Sequence, residues 1–331
     1  MNRRNILRWL ALLFFVGVAP TVRADSLDAN IVGLLPKNVA EVGYADLERA
    51  RQLSWFAQFK QQALPASYVE FEQFLKSSHI DPNTQIRQVA WAMGIGAPDE
   101  SRDIAPATDD ILGVALGDFD PESVRSLYKS RKLATSELRG YALYACGNGA
   151  SCSGMFFLFL DTNTMAFGRR ESLERMLAVR SGEEESVLAN QSTFPLIQQA
   201  NGEGIFWGVL NPAGTRMAIR QLVPEASQFR ESGKLLARMK ALVVTIKGTS
   251  SMDADFQMVS DSPLATTLLS QLLQAGLVVR RYEASRTKSA LAPILDSIQV
   301  APYGNTLDVS FSISNEQANL LIASNLFSMK L

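Results

Sequence analysis

Histidine occurs once in these 331 residues, as His79, and cysteine twice, as Cys146 and Cys152. A structural Cys/His zinc site takes four such ligands, and the chain has three, too few for one. Five residues separate the cysteines, which is not the Cys-x-x-Cys of a redox motif. Neither Gly94-Ile95-Gly96 nor Gly202-Glu203-Gly204 continues into Gly-x-x-Gly or a Lys-Ser/Thr pair, so both read as turns rather than phosphate cradles. No serine sits in a nucleophile-elbow pattern. Basic residues are not in excess, with a formal net charge of −1. Without a basic tract there is no electrostatic reason to bind nucleic acid. After the first 24 residues, no run approaches the ~20 apolar residues of a membrane-spanning helix.

What is present begins with an address. Arg3, Arg4 and Arg8 precede the apolar run Trp9 to Ala19, then the breaker Pro20, with Val22 and Ala24 as the small residues a signal peptidase requires. Residues 1–24 thus read as a cleaved export signal, with the site near Ala24/Asp25. Eleven apolar residues at about 1.5 Å each reach roughly half of a ~30 Å hydrocarbon core, too short for an anchor. The remainder is expected to be soluble, periplasmic or secreted. Setting aside the leader's four arginines leaves 28 Lys+Arg against 33 Asp+Glu, a mildly acidic body. In an oxidising compartment Cys146 and Cys152 read as a structural disulfide that pins a hairpin, with Gly147 and Gly149 letting the loop bend.

Apolar residues make up 47% and charged residues 20%, enough for a sizeable core. Periodicity predicts the order β-α-α-β-β-α-β-β-α twice over. A strand at 41–46 is followed by helices near 47–63 and 66–78, strands near 85–96 and 111–118, and a helix opened by Asp120-Pro121. The second pass starts with a strand at 204–210 and has its own capped helix at Ser262-Pro263. The expected fold is α+β, with two similar antiparallel-sheet-plus-helix units at 25–181 and 204–331 and a linker at 182–203. Internal duplication is one origin for the match, and coincidence of rhythm is the other. The sheets are expected packed together or joined edge to edge, with helices mostly on one side. Leu307, Val309, Phe311 and Ile313 alternate with polar residues, predicting one wet face. The unbroken run Met155 to Leu160 predicts cover on both faces.

Few residues point to chemistry. His79 ends a helix and suits capping better than catalysis. The five acids of the loop from Asp99 to Asp110 lack the alternating order of a calcium site, and Glu183-Glu184-Glu185 reads as a solvated run. Trp55, Phe56, Phe59, Tyr68, Phe71 and Phe74 form an aromatic helical pair that packs a core or lines a hollow for an acyl chain. Arg230, Lys234 and Arg238 recur every four residues and offer a face for an anionic partner or lipid headgroups, or simply for water. Arg216 and Arg220 repeat that spacing just upstream. No motif calls for a cofactor or metal.

The opening Gly33-Leu34-Leu35-Pro36, followed by Val42-Gly43-Tyr44-x-Asp46-Leu47, resembles the start of uncharacterised exported bacterial proteins. Arg139-Gly140-Tyr141-x-Leu143-Tyr144 and Gly168-x-x-x-Ser172-Leu173 are similar to theirs as well. The resemblance covers mainly residues 33–180 and implies an exported α+β protein, with no activity or ligand attached. The sequence therefore favours a non-enzymatic binding or scaffolding protein of the bacterial envelope, whose partner is an envelope protein or an apolar ligand. The alternatives are a periplasmic carrier of a lipid or other apolar molecule, and a hydrolase with dispersed carboxylates.

Overall fold

The computed structural model describes residues 26–63, 66–94, 111–146, 152, 154–222, 232–248, 251–287 and 289–323. The expected export signal, residues 1–24, and the acidic loop to Asp110 lie outside them. Helix α1 (Ala29–Val32) precedes strand β1 (Glu41–Asp46), helices α2 (Leu47–Ala50), α3 (Phe56–Ala63) and α4 (Ala66–Ser77), and strands β2 (Ile86–Met93) and β3 (Ile111–Gly117). Helix α5 (Pro121–Ser130) leads to β4 (Thr135–Leu138), β5 (Tyr141–Ala145), β6 (Met155–Phe159), β7 (Thr164–Arg169) and helix α6 (Arg170–Arg180). Helix α7 (Phe194–Ala200) leads into β8 (Phe206–Leu210), α8 (Pro212–Leu222), α9 (Ser232–Leu236), β9 (Met239–Gly248) and β10 (Ser251–Ser260). The long α10 (Pro263–Arg286), α11 (Ala292–Ser297), β11 (Gln299–Tyr303), β12 (Thr306–Ser314) and α12 (Asn315–Ala323) complete the order.

All twelve strands among the described residues join one antiparallel sheet, in the order β11-β12-β10-β9-β8-β1-β2-β3-β7-β6-β5-β4. The expected sheets are thus joined edge to edge, through β1 and β8. Outward from that seam five strands run alike on each side, the first three meandering and then the last strand lying beside the third with the one before it beyond, and the first half alone continues into β5 and β4. Gly43 and Gly208 face each other across the seam. Three residues beyond each, an Asx side chain caps the next helix: Asp46 accepts from the Arg49 amide and Asn211 from the Gly214 amide. The Pro-led helices match too, since Asp120 accepts from the Ser123 amide and Ser262 from that of Ala265.

Alternation along each strand divides the core. On the first face Tyr44, Trp207, Leu112 and Leu158 are buried under residues of α1, α6 and α7 such as Val32, Met176 and Ile197. The expected linker 182–203 thus contains α7, whose Ile197 and Ala200 are buried in this core. On the second face α4 and α5 cover the first half, while α8 to α12, together with α3, cover the second. Phe157 and Leu158 lie in cores on opposite faces, so β6 is covered on both. Asp308, Ser310 and Ser312 share the first face with Asp253, Asp255 and Gln257, giving the second half its polar side.

Candidate functional site

The pairing registers line up one row of residues across the second face. In the first half it passes through Gly43, Trp91, Gly113, Phe167, Phe157 and Tyr144. This half is closed, with Trp91 at the seam the one row residue that is partly exposed. A Cβ added to Gly43 would lie 2.2 Å from the Trp91 ring, and one on Gly113 would lie 2.1 Å from that of Phe167, so each ring rests on a glycine. Helix α4 closes the layer, with Phe71 5.5 Å from Phe167 and Phe74 5.6 Å from Phe157 between ring centres.

The same row continues in the second half through Gly208, Val244, Phe256, Val309 and Val300. All five are only half-buried, although four of them lie on interior strands. A Cβ on Gly208 would meet nothing nearer than Leu210 Cδ1 at 3.9 Å, so there is room above it. Leu242, Met258 and Leu307, two positions along their strands, are buried with residues of α8, α9 and α10. Met252 and Ile313, at the opposite end, are buried with residues of α11 and α12. Val244, Phe256, Val309 and Val300 pack against the cluster under α8 to α10 but stay only partly buried, so the row is a shallow apolar trough, less covered than the residues at either end of it. Four strand spacings of about 4.8 Å make it roughly 19 Å long.

Its walls are apolar and aromatic. Phe56 and Phe59 lie 6.0 and 6.1 Å from Phe206, and Phe256 stacks on Phe311 at 6.2 Å. Leu273 of α10 packs against the cluster on the other side. At the seam Trp91 Nε1 donates to Glu41 Oε1 at 2.9 Å. The Glu41 residue is partly exposed, but its carboxyl group is enclosed, and burial raises its pKa above the ordinary carboxylate range while the Trp91 bond opposes that rise. Chemically, such a trough can hold an apolar chain by burial and dispersion.

The six aromatics expected to line one hollow are divided. Trp55, Phe56 and Phe59 gather with Phe206 beside the trough, whereas Phe71 and Phe74 fill the closed half. Tyr68 lies half-buried on α4. The basic series is broken up as well. Lys234 is exposed on α9, Arg238 donates Nε to Asp261 at 2.9 Å, and Arg230 lies outside the described residues. Upstream, Arg216 of α8 is buried. Cys146 and Cys152 form a disulfide linking the end of β5 to the approach to β6, and both are buried beside Tyr144 and Phe157. His79 follows α4 with a φ of 64° and its Nδ1 lies 3.3 Å from Ser123 Oγ. Each of Glu183, Glu184 and Glu185 has a cation, namely Arg139, Arg175 and Lys37. Sequence reasoning missed Gly208, Val244, Phe256 and Val309 as a site. The signal available was Gly208 itself, an unfilled position in an otherwise apolar strand.

No family model matches the chain, and no curated protein does. Among solved structures, one described as crystal form I of TP0453 aligns with a TM-score of 0.47 at 11% identity, covering 92% of this chain and 98% of that chain.

Proposed function

We propose that this protein is an exported, non-catalytic binding protein of the bacterial cell envelope, and that it holds an apolar molecule along the open row from Gly208 to Val300. One observation carries the proposal. The five strands nearest the seam follow one order in both halves, yet the row is buried in the first half at every position but Trp91 and only partly buried throughout the second. Apolar residues central to a sheet are ordinarily covered, because leaving them in water forfeits about 25 cal/mol per Å². A bound apolar molecule would supply that cover. Export, read from residues 1–24, would place the protein where lipids and other apolar molecules cross an aqueous space.

Titration with an environment-sensitive apolar fluorophore such as 1-N-phenylnaphthylamine tests the proposal. The expected result is saturable enhancement at one site per chain, reversed by a competing fatty acid. Enhancement that fails to saturate, or that persists when the row is filled by Gly208→Leu, contradicts it.

A further inference from the structure

Helix α10 is apolar on two opposite sides, and only one side is used within the fold. Its inner side buries Ala265, Thr266, Leu269 and Ser270, with Leu273 and Leu277 half-buried further along. Its outer side presents Leu264, Leu268, Val278, Val279 and Tyr282, which are 45–68% exposed. These recur at helical spacing, with Ala275 also exposed between them, so they form one stripe. From Leu264 to Tyr282 it runs about 27 Å. Five of the ten large apolar residues exposed among the described residues lie on this one helix, so the stripe is a patch rather than scatter.

Charge selects what covers it. From Pro263 to Val279 the helix has no charged residue. Beyond that span Arg280, Arg281 and Arg286 outnumber Glu283 and Asp296. At the other end Asp261 pairs with Arg238, and Lys234 and Lys240 stand nearby, both exposed. Arg281 also fixes the helix in place by donating to the carbonyl oxygens of Leu295, Asp296 and Ile298. An uncharged apolar strip with cations at both ends suits the boundary between anionic headgroups and acyl chains, and a tyrosine at its margin suits the same depth. A second copy fits poorly, because pairing α10 with itself in either direction sets cationic ends against each other.

We infer that α10 docks this protein peripherally on a lipid surface rich in anionic headgroups, lying in the plane of that surface with its outer stripe inserted. The inference uses the side of α10 that faces away from the trough, so it stands apart from cargo binding. The test is flotation of the protein, recovered after export from a host expressing the full chain, with two kinds of vesicle. One contains phosphatidylethanolamine and phosphatidylglycerol, the other phosphatidylcholine alone. The expected result is binding to the anionic vesicles that weakens with salt and falls at least tenfold in Leu268→Glu/Val279→Glu. The melting temperature should hold, since both side chains are already exposed. Lys240→Gln/Arg286→Gln is expected to weaken binding severalfold, whereas Gly208→Leu leaves it unchanged. Equal partition of wild type and the Leu268/Val279 variant overturns the inference. So does a wild type that stays in solution with both vesicles, or one that forms a dimer abolished by that variant.

Discussion

Replacing Gly208 with leucine separates binding from folding, because it fills the row without a clash. The Cβ makes only ordinary van der Waals contact, with its nearest neighbour 3.9 Å away, and Gly208 is not among the glycines with a positive φ. The new side chain would lie over the half-exposed row between Gly43 and Val244. Removing a glycine from a strand stabilises by roughly 0.5–1 kcal/mol, and partial burial of the side chain adds about 1 kcal/mol. The variant should therefore melt a few degrees above wild type. Its four side-chain carbons would occupy the space of about four methylenes of a bound chain, each contributing about 0.8 kcal/mol. Cargo affinity should fall by about 3 kcal/mol, on the order of a hundredfold. Thermal melts and fluorophore titration on the same samples check both halves of the prediction. A variant that is stabilised yet binds as well as wild type would refute the reasoning, because the row would then not be where cargo lies.

Three further outcomes follow from the closed half and its supports. Gly43→Ala forces a Cβ to within 2.2 Å of the Trp91 ring and disturbs the Trp91–Glu41 bond, so it should cost about 3 kcal/mol by chemical denaturation, the opposite sign to the Gly208 substitution. Replacing Cys146 and Cys152 together by serine releases a closed loop with a sequence separation of 6, for which chain entropy gives a loss of about 2 kcal/mol, measured by chemical denaturation with the slope fitted for each protein, since the uncrosslinked unfolded chain exposes more surface. The raised pKa of Glu41 means the folded state holds its proton more tightly than the unfolded one, so this group's contribution is fullest below the ordinary carboxylate pKa and is lost as pH rises through the raised value. Glu41→Gln should flatten stability across that window and raise it near neutrality. A pH profile of denaturation midpoints identical to wild type would assign the burial no energetic consequence.

Local elements were legible in the sequence because their causes are local. Asp120-Pro121 and Ser262-Pro263 announced α5 and α10 through capping chemistry, and the alternation of Leu307 to Ile313 announced β12. The run of β1, the helices after it and β2-β3 was readable for the same reason, although the first half has two strands, β4 and β5, that the second does not. Only long-range pairing, however, makes one sheet of twelve strands, since β1 meets β8 across more than 150 residues of chain. The row through Gly208 depends on those registers, which no local pattern encodes. The aromatic pair was half informative: spacing put Phe56, Phe59, Phe71 and Phe74 on helices, but which sheet residues lay beneath them decided that two seal a core and two border a trough. Helix α7 escaped notice because Phe194 to Ala200 is short and follows polar residues. The outer stripe of α10 left a trace, for an uncharged span with apolar residues all round has more apolar surface than one packing face can use.

The central claim is that an apolar molecule covers the open row, and native mass spectrometry of the protein recovered from its native host tests it most directly. Wild type is predicted to carry an added mass that is released on gentle activation and extracts into organic solvent. Gly208→Leu, prepared identically, is predicted to fly as bare polypeptide. Bare polypeptide from both, under conditions that preserve a known lipid carrier with its cargo, would contradict the account.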